Sequence, residues 1–296
     1  MTTLQQTFAN RAPQQDLRSV AEVAVVFCDR SLAYLRPLAT NAPRTQDGIM
    51  ETLMVWQRLA LRRLGAPFDA YLADDFLNPE LPHYKFYVFM DTFFLTDEER
   101  AAIQKRLAED NATALWFYAP GVIDGEGLAP EKSAELTGIP VTLDFATRET
   151  AGMVDAETGK PLNLPQQYSF LPAATPQVDD ETAVLAYKTD GKTPAVVRKG
   201  KTYFSAYAGL TPEFLRKIAR EAGVFIYSED DDAIYANASY LAVHTSKRPG
   251  PRTIRLPAGV QAVLLWPISL HIDGKSLEVL QFDSDEPHTR IYRLTR

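Results

Sequence analysis

The sequence predicts an α/β protein in which an open parallel sheet carries helices on both faces and is followed by a small antiparallel β domain. Residues 23–118 alternate apolar, strand-like runs with amphipathic helical stretches, the pattern of a parallel sheet covered on both faces. Residues 224–296 consist of short β segments separated by turns, without a helix signal. The 296 residues, 46% hydrophobic and 23% charged, match a globular chain of about two domains.

Four apolar runs predict the strands of the parallel sheet. They occupy residues 23–28, 68–72, 84–90 and 113–118. Each stops at polar or turn-forming residues, as buried strands do. The last of them ends at Ala119-Pro120-Gly121, and a further strand is predicted at 141–146.

Amphipathic stretches between these runs predict the helices. In residues 47–64 the apolar side chains recur at spacings of three to four, at Ile49, Leu53, Trp56 and Ala60. Thr96-Asp97-Glu98-Glu99 predicts a capping box, in which Thr96 caps the amide of Glu99 and the Glu99 side chain returns the bond. Further helices are predicted at 131–136 and at 211–222, the second with Pro212 in its first turn.

The chain is predicted to have an N-terminal connector at 1–18, an α/β domain at 19–223 and a small β domain at 224–296. Within the α/β domain, residues 150–180 are rich in Pro, Gly and Gln and are interpreted as an excursion or linker. Three hairpin-like pieces follow it, at 183–187, 194–199 and 202–207.

The charge balance disfavours nucleic acid as a partner. The chain has 38 acidic and 31 basic residues and a formal net charge of −7, which gives it no electrostatic attraction for a polyanion or an anionic lipid surface. No apolar run approaches the roughly 20 residues of a membrane span, and the N-terminal stretch lacks the apolar core of a signal peptide. We therefore expect a cytoplasmic protein with no nucleic-acid and no membrane partner.

The sequence gives no support for a metal ion or a cofactor. A single cysteine excludes an internal disulfide and a zinc site built from several thiolates. The four histidines show no metal-ligand spacing; they are His83, His244, His271 and His288. Gly191-Lys192-Thr193 and Gly200-Lys201-Thr202 lack the glycine five residues earlier that a phosphate-binding loop needs. Cys28 lies in a hydrophobic run without a Gly-x-Cys-x-Gly elbow, which favours a buried structural thiol over a nucleophile.

Polar residues at the strand ends form the candidate ligand site. In open parallel sheets, ligands settle in the crevice beyond the carboxyl ends of the strands. A flavodoxin-like strand order would bring Asp29, Asp91 and Tyr118 together there, with Ser31 and Thr92 at the same strand ends. The alternative is that Asp, Ser and Thr at these positions only cap the helices that follow.

Several stretches, taken together, resemble one protein family. They are SVAEVAVV at 19–26, LGAPFD at 64–69, YKFYVF at 84–89, FLTDEER at 94–100 and LWFYAPG at 115–121. The set resembles the β-galactosidase trimerisation domain of glycoside hydrolase family 42 and related enzymes, which implies a flavodoxin-like, class I glutamine amidotransferase-like fold. The resemblance covers residues 19–225, and the tail resembles the small β domain that ends such proteins.

The resemblance implies the non-catalytic part of such an enzyme. In that family a (β/α)8 barrel precedes the domain and carries both catalytic carboxylates, one of them in an Asn-Glu dipeptide. This chain has no Asn-Glu dipeptide, and we expect no barrel ahead of residue 19. The amidotransferase relatives place a nucleophilic cysteine on a strand-to-helix elbow, where this chain has Tyr118-Ala119-Pro120-Gly121. We therefore expect no catalytic residues.

Two functions of different classes remain. The first is a non-catalytic assembly and accessory module, which forms a homo-oligomer (a trimer, by resemblance) or docks on a glycoside hydrolase barrel. Its candidate contacts are aromatic: Phe93, Phe94, Trp116, Tyr118 and Trp266, with core burial as the alternative for Trp116. The second is a component of a carbohydrate-active enzyme, or a sugar-binding protein, whose strand-end crevice holds a carbohydrate.

Overall fold

The computed structural model describes residues 15–34, 48–162, 168–267 and 279–295. Residues 1–14 of the predicted connector, residue 47 at the start of the first predicted helix, and His271 lie outside the described residues. Within the described ranges, no helix is both long and apolar enough to cross a membrane.

Strands occur throughout the described residues, which contain few helices. The strands are β1 (Val23–Phe27), β2 (Phe68–Leu72), β3 (Phe86–Phe89), β4 (Thr113–Phe117), β5 (Val141–Asp144), β6 (Glu149–Thr150), β7 (Met153–Asp155), β8 (Pro161–Leu162), β9 (Ser169–Phe170), β10 (Ala173–Pro176), β11 (Thr182–Lys188), β12 (Pro194–Lys199), β13 (Thr202–Ser205), β14 (Ala233–Ala236), β15 (Tyr240–His244), β16 (Gly250–Arg255), β17 (Gln261–Trp266), β18 (Val279–Ser284) and β19 (Thr289–Thr295). The helices are α1 (in three consecutive pieces, Ile49–Glu51, Thr52–Gln57 and Arg58–Arg62), α2 (Asp97–Glu109), α3 (Glu131–Thr137) and α4 (Pro212–Glu221), with 3-10 turns at Asp29–Tyr34 and Ala73–Leu77.

A nine-stranded sheet has the strand order β2-β1-β3-β4-β13-β12-β11-β7-β8. Strand β1 pairs with β3, β3 with β4, and β4 with β13, and all three pairings are parallel. With β2 beside β1, the first five strands follow the 2-1-3-4-5 order of flavodoxin-like sheets. Every residue of β3 and β4 is buried, so both faces of the sheet are covered there. The predicted fold class is therefore confirmed.

Four antiparallel strands extend this sheet beyond β13. They pair in the series β13-β12-β11-β7-β8, so the three pieces predicted as hairpin-like are consecutive antiparallel strands of the main sheet. The stretch interpreted as a linker, 150–180, contains short strands from the end of β6 to β10. Strands β7 to β10 have two to four residues each, too few for an alternating pattern to show in the sequence.

Helix α1 contains a π-helical segment, Thr52–Gln57, that turns a polar residue inward. Trp56, which the apolar spacing places on the inner face, is only partly buried, whereas Gln57 is fully buried. The Gln57 side-chain oxygen accepts hydrogen bonds of 2.8 Å from the backbone N–H groups of Gly209 and Leu210. A π turn adds one residue to the helix and shifts the face that each later residue presents.

Helix α2 begins at the predicted capping box. The Thr96 hydroxyl accepts a hydrogen bond from the Glu99 backbone N–H at 3.3 Å, and the Thr96 backbone N–H donates to Glu99 Oε2 at 2.8 Å. These reciprocal bonds satisfy two backbone donors that a helix N-terminus leaves open. The predicted capping box is therefore confirmed.

The chain divides into two compact units. The larger contains the described residues within Val23–Ala60 and Ala70–Phe214, and the smaller those within Met1–Glu22, Leu61–Asp69 and Leu215–Arg296. The smaller unit thus includes 19–22, 61–69 and 215–223, which the sequence assigned to the α/β domain.

The smaller unit is built around antiparallel β-structure. It contains a sheet of order β14-β15-β19-β17 and the pair β16-β18. Their inward side chains form an apolar core that includes Ile234, Leu241, Val243, Ile254 and Leu280. The predicted antiparallel character of the C-terminal part is therefore confirmed.

Candidate functional site

The carboxyl ends of β1 and β3 are joined by Asp91. Its Oδ1 accepts a 2.8 Å hydrogen bond from the backbone N–H of Cys28, and the carboxyl group is almost fully buried. Burial raises the pKa of Asp91 to about 6, and the charge of nearby Asp29 adds to the rise, while the bond from Cys28 opposes it. Asp91 therefore tethers two strand ends.

Ser31 has the same kind of role. The residue is completely buried in the 3-10 turn that follows β1, and its hydroxyl accepts a 3.0 Å hydrogen bond from the backbone N–H of Phe94. Ser31 accepts from a backbone N–H in the loop after β3, and Asp91 accepts from Cys28 at the end of β1, so neither bond caps the helix that follows its own strand. Asp29, by contrast, is exposed at the start of that turn.

Cys28 is buried, as the sequence suggested, but it lies one residue beyond the end of β1 rather than within the strand. Its thiol donates to the backbone carbonyl of Phe94 at 3.2 Å. Burial raises the pKa of the Cys28 thiol, which disfavours the thiolate that a nucleophile requires.

Tyr118 occupies the elbow at the end of β4 in a left-handed conformation, with φ of 68°. Such a φ is uncommon for a residue with a bulky side chain. Its backbone N–H donates to the Ser205 carbonyl at 2.7 Å, and its hydroxyl donates to the Pro172 carbonyl at 2.5 Å. The ring meets Phe93 and Phe170 edge-on, with centroids 5.4 and 5.5 Å apart. The elbow thus holds a buried phenol engaged in packing.

Thr92 is buried between these strand ends. Its backbone carbonyl accepts a 2.7 Å hydrogen bond from the Gly121 N–H, which joins the loop after β3 to the elbow after β4. Its hydroxyl oxygen is also buried, and it has no hydrogen-bond partner among the described residues.

A cavity of about 430 Å³ lies at this edge of the sheet, within the larger unit. Of the five predicted site residues, Tyr118 lines it, and Asp29, Ser31, Asp91 and Thr92 are not part of its wall. The wall is otherwise mainly apolar, with contributions from Phe93, Leu128, Phe145 and Leu171.

The cavity wall includes residues that the sequence analysis did not single out. Tyr34, Leu128 and Phe145 are each more than half exposed although they are large and apolar. Apolar residues in loops and at strand ends were visible in the sequence, but their convergence depends on the conformations of three separate connections. The sequence predicted a crevice at the strand ends, but it did not predict that the wall of the cavity there is mainly apolar.

A buried polar cluster lies elsewhere in the larger unit. The Lys188 ammonium donates to Glu149 Oε2 at 2.9 Å and to the Thr175 hydroxyl at 2.8 Å. The Tyr207 hydroxyl donates to Glu149 Oε1 at 2.7 Å, and burial together with this bond raises the pKa of Tyr207. The cluster connects β6, β10 and β11 with the segment after β13. In the described part of the chain, no group of three or more His, Cys, Asp or Glu side chains is arranged to hold a metal ion.

The aromatic residues suggested as partner contacts are mostly core residues. Phe93, Trp116 and Tyr118 are at most 3% exposed, and Trp116 stacks on Phe89 with ring centroids 3.7 Å apart. Core burial, the alternative weighed for Trp116, therefore applies to all three. Phe94 and Trp266 are partly exposed.

Fold and site together define a flavodoxin-like α/β structure whose elbow carries a tyrosine, in a chain that ends in antiparallel β-sheets. Solved structures with similar folds include β-galactosidases. A catalytic mutant of Gan42B, a GH42 β-galactosidase from G. stearothermophilus, matches with a TM-score of 0.62 and 15% identity over 94% of this chain and 41% of that one. The polyextremophilic β-galactosidase from the Antarctic haloarchaeon Halorubrum lacusprofundi matches with a TM-score of 0.64 and 17% identity over 97% of this chain and 41% of that one.

A third β-galactosidase, from Rahnella sp. R3, gives a TM-score of 0.60 and 15% identity, with 94% of this chain and 41% of that one covered. This chain therefore spans about two fifths of the length of these β-galactosidases. No family model matches the sequence, and no curated protein matches it. The resemblance to part of a GH42 β-galactosidase is confirmed at the level of the fold.

Proposed function

We propose that this chain is a non-catalytic assembly and accessory module that corresponds to the oligomerisation and C-terminal domains of a family 42-like β-galactosidase. One observation carries the proposal: nearly the whole chain matches the fold of these enzymes, yet it spans only 41% of their length. A module of this kind contributes contact surface, and bond cleavage takes place in a barrel domain.

The chemistry of the strand ends supports this proposal. Glycoside hydrolysis requires two carboxyl groups that flank the scissile bond. Asp91 is buried against the Cys28 backbone, and Tyr118 occupies the elbow where the amidotransferase-like fold carries its thiol. The thiol of Cys28 is buried and bonded to a backbone carbonyl. These groups serve the fold rather than a reaction.

The proposed partners are further copies of this chain, as a trimer, or a glycoside hydrolase barrel. Phe94 is a partly exposed aromatic residue suited to such a contact; its ring stacks on Tyr34 at 5.5 Å and lies under the Arg30 guanidinium at 5.0 Å. Partly exposed aromatic residues beside an arginine are typical of the energetic centres of protein interfaces.

Sedimentation velocity of the full chain between 1 and 100 µM, alone and with an isolated family 42 barrel, tests this proposal. We expect a trimer or a barrel complex, and at least about tenfold weaker association for Phe94→Ser because hot-spot aromatics dominate interface energies. Tyr235→Ser, at an exposed tyrosine of the smaller unit, is the matched control. The proposal is contradicted if the chain stays monomeric and does not bind the barrel. It is also contradicted if the chain hydrolyses a β-galactoside by itself.

The second candidate is a sugar-binding role for the strand-end crevice. Its supporting observation is the cavity beside Tyr118 and Phe93, because aromatic faces stack on sugar rings. Isothermal titration with galactose and lactose tests it, using Phe145→Ala to remove an aromatic ring of the wall and Tyr235→Ala as the control. Sugar binding that Phe145→Ala weakens and Tyr235→Ala leaves unchanged would support it. No binding to either sugar would exclude it.

A further inference from the structure

The 430 Å³ cavity has the size and position of a small-molecule site. Ligand pockets typically enclose about 300–1,000 Å³, and in open α/β sheets they lie beyond the carboxyl ends of the strands. This cavity is bounded by Phe93, which follows the end of β3, and by Tyr118 and Ala119, which follow β4. Its location therefore matches where this fold class binds ligands.

Rigid aromatic and aliphatic side chains form the inner wall. Phe93 and Tyr118 are buried and held edge-on to each other, and the Tyr118 hydroxyl is fixed on the Pro172 carbonyl at 2.5 Å. Their orientations are therefore set before any ligand arrives, which reduces the entropy that binding has to overcome.

The outer wall contains exposed apolar side chains. Tyr34, Leu128 and Phe145 are each more than half exposed, and all three face the same cavity. A single exposed apolar residue is ordinary, but a group of them around one concave site marks a place where something apolar binds.

Arg148 is the one charged residue in the cavity wall among the described residues. A guanidinium favours a carboxylate over an ammonium group, since it pairs with planar oxyanions through charge-assisted hydrogen bonds.

We propose that the cavity binds a small carboxylic acid that carries an aromatic or similarly flat apolar ring. The ring lies against Phe93, Tyr118 and Phe145, and the carboxylate reaches the Arg148 guanidinium at the mouth. A sugar is the poorer fit, because its hydroxyl groups need several polar partners and the wall is mostly hydrocarbon.

The test compares two probes of equal shape and opposite charge, 3-phenylpropanoate and 3-phenylpropylamine, with lactose as a third. Ligand-detected NMR titration of the full chain at low salt measures each Kd. We expect 3-phenylpropanoate to bind with a Kd on the order of 1 mM, as a ligand of this size allows, and at least about threefold more tightly than the amine. Lactose is expected not to compete.

Two variants with matched controls assign the binding to this cavity. Leu128→Trp fills the mouth and should weaken 3-phenylpropanoate at least about fivefold, whereas Val178→Trp, at an exposed valine outside the wall, should not. Arg148→Gln should bring the acid and the amine within about twofold of each other, whereas Arg198→Gln, at an exposed arginine outside the wall, should keep the preference. Circular dichroism melting checks that each variant is folded.

Four results overturn the proposal: no binding of either ring probe at 20 mM, binding that Leu128→Trp leaves intact, an acid preference that survives Arg148→Gln, or lactose as the only ligand. None of these results depends on whether the chain forms trimers, so failure of this proposal is distinct from failure of the assembly role.

Discussion

The carboxylate of Asp91 accepts a 2.8 Å hydrogen bond from the backbone N–H of Cys28, which ties the end of β3 to the end of its parallel neighbour β1. The carboxyl group is 1% exposed, and the pKa of about 6 reflects mainly the cost of burying its charge. The sequence placed Asp91 correctly at a strand end, but its chemistry is structural.

The first prediction concerns how Asp91 makes the free energy of unfolding depend on pH. Because its pKa rises from 3.8 to about 6 on folding, the folded chain holds the proton more tightly than the unfolded chain. The contribution of Asp91 to the free energy of unfolding should therefore fall between about pH 4 and pH 6 and stay constant above. Asp91→Asn keeps an oxygen acceptor for the Cys28 N–H and should remove this slope.

At pH 7, Asp91→Asn should raise the free energy of unfolding by up to about 3 kcal/mol, since one pKa unit corresponds to about 1.4 kcal/mol. Urea denaturation at pH 4, 5, 6 and 7 measures both effects. Asp91→Ala is the comparison, because it removes the charge and the acceptor together and leaves the Cys28 N–H without its partner. An Asp91→Asn variant with the wild-type pH slope would contradict the assignment.

The second prediction concerns the polar cluster of Glu149 and Lys188. Lys188→Met removes the cation and leaves the Glu149 carboxylate, 19% exposed, without its ion pair. We expect a loss of about 2–4 kcal/mol in unfolding free energy, somewhat less than for a completely buried pair. Lys105→Met is the matched control, because Lys105 pairs with Glu109 on the surface of α2 and exposed pairs contribute about 0–1 kcal/mol. Equal losses in the two variants would show that burial of the cluster does not matter.

The third prediction concerns the ion pair of Arg252 and Asp232 in the smaller unit. Both side chains are fully buried, their atoms approach to 3.1 Å, and Asp232 also accepts from the Ser246 backbone N–H at 2.8 Å. Arg252→Met should lower the free energy of unfolding by about 3–5 kcal/mol, because it leaves the buried Asp232 carboxylate without its ion pair. Arg248→Met, at an exposed arginine that pairs with Asp230, should change stability by less than about 1 kcal/mol. Thermal melting of the two variants under the same conditions distinguishes these outcomes.

The fourth prediction concerns the hydroxyl of Tyr118. Tyr118→Phe keeps the ring between Phe93 and Phe170 but removes the donor to the Pro172 carbonyl. We expect a loss of about 1 kcal/mol in unfolding free energy, the net worth of a typical hydrogen bond. Tyr118→Leu should cost more, because it removes both ring contacts as well. If Tyr118→Phe were as stable as the wild type, the hydroxyl would not hold the elbow in place.

The α/β part of the fold was predictable because β1, β3 and β4 lie in continuous apolar runs, each followed by polar or turn-forming residues. The capping box at Thr96 was predictable for a similar reason, since its chemistry is local. The antiparallel extension was predictable in part. Strands β11 and β12 match the pieces predicted at 183–187 and 194–199, whereas β7 and β8 have three and two residues, too few to show an alternating pattern.

The candidate site was predictable in position only. The rule that ligands lie beyond the carboxyl ends of parallel strands led to the edge of the sheet where the 430 Å³ cavity lies. It could not predict that the side-chain oxygens of Asp91 and Ser31 accept hydrogen bonds from backbone N–H groups, because these contacts depend on the conformation of each loop. Nor could it assemble Leu128, Phe145 and Arg148, which come from connections with no regular spacing.

The π turn within Thr52–Gln57 accommodates one residue more than a regular helix would hold. Deletion of one residue there, for example the exposed Val55, would let the segment return to 3.6 residues per turn. The residues that follow in α1 would keep the faces they present now, and Gln57 would still reach the backbone donors of Gly209 and Leu210. A one-residue deletion at this segment should therefore be tolerated better than one in a regular stretch of α-helix, where every later residue would rotate by about 100°.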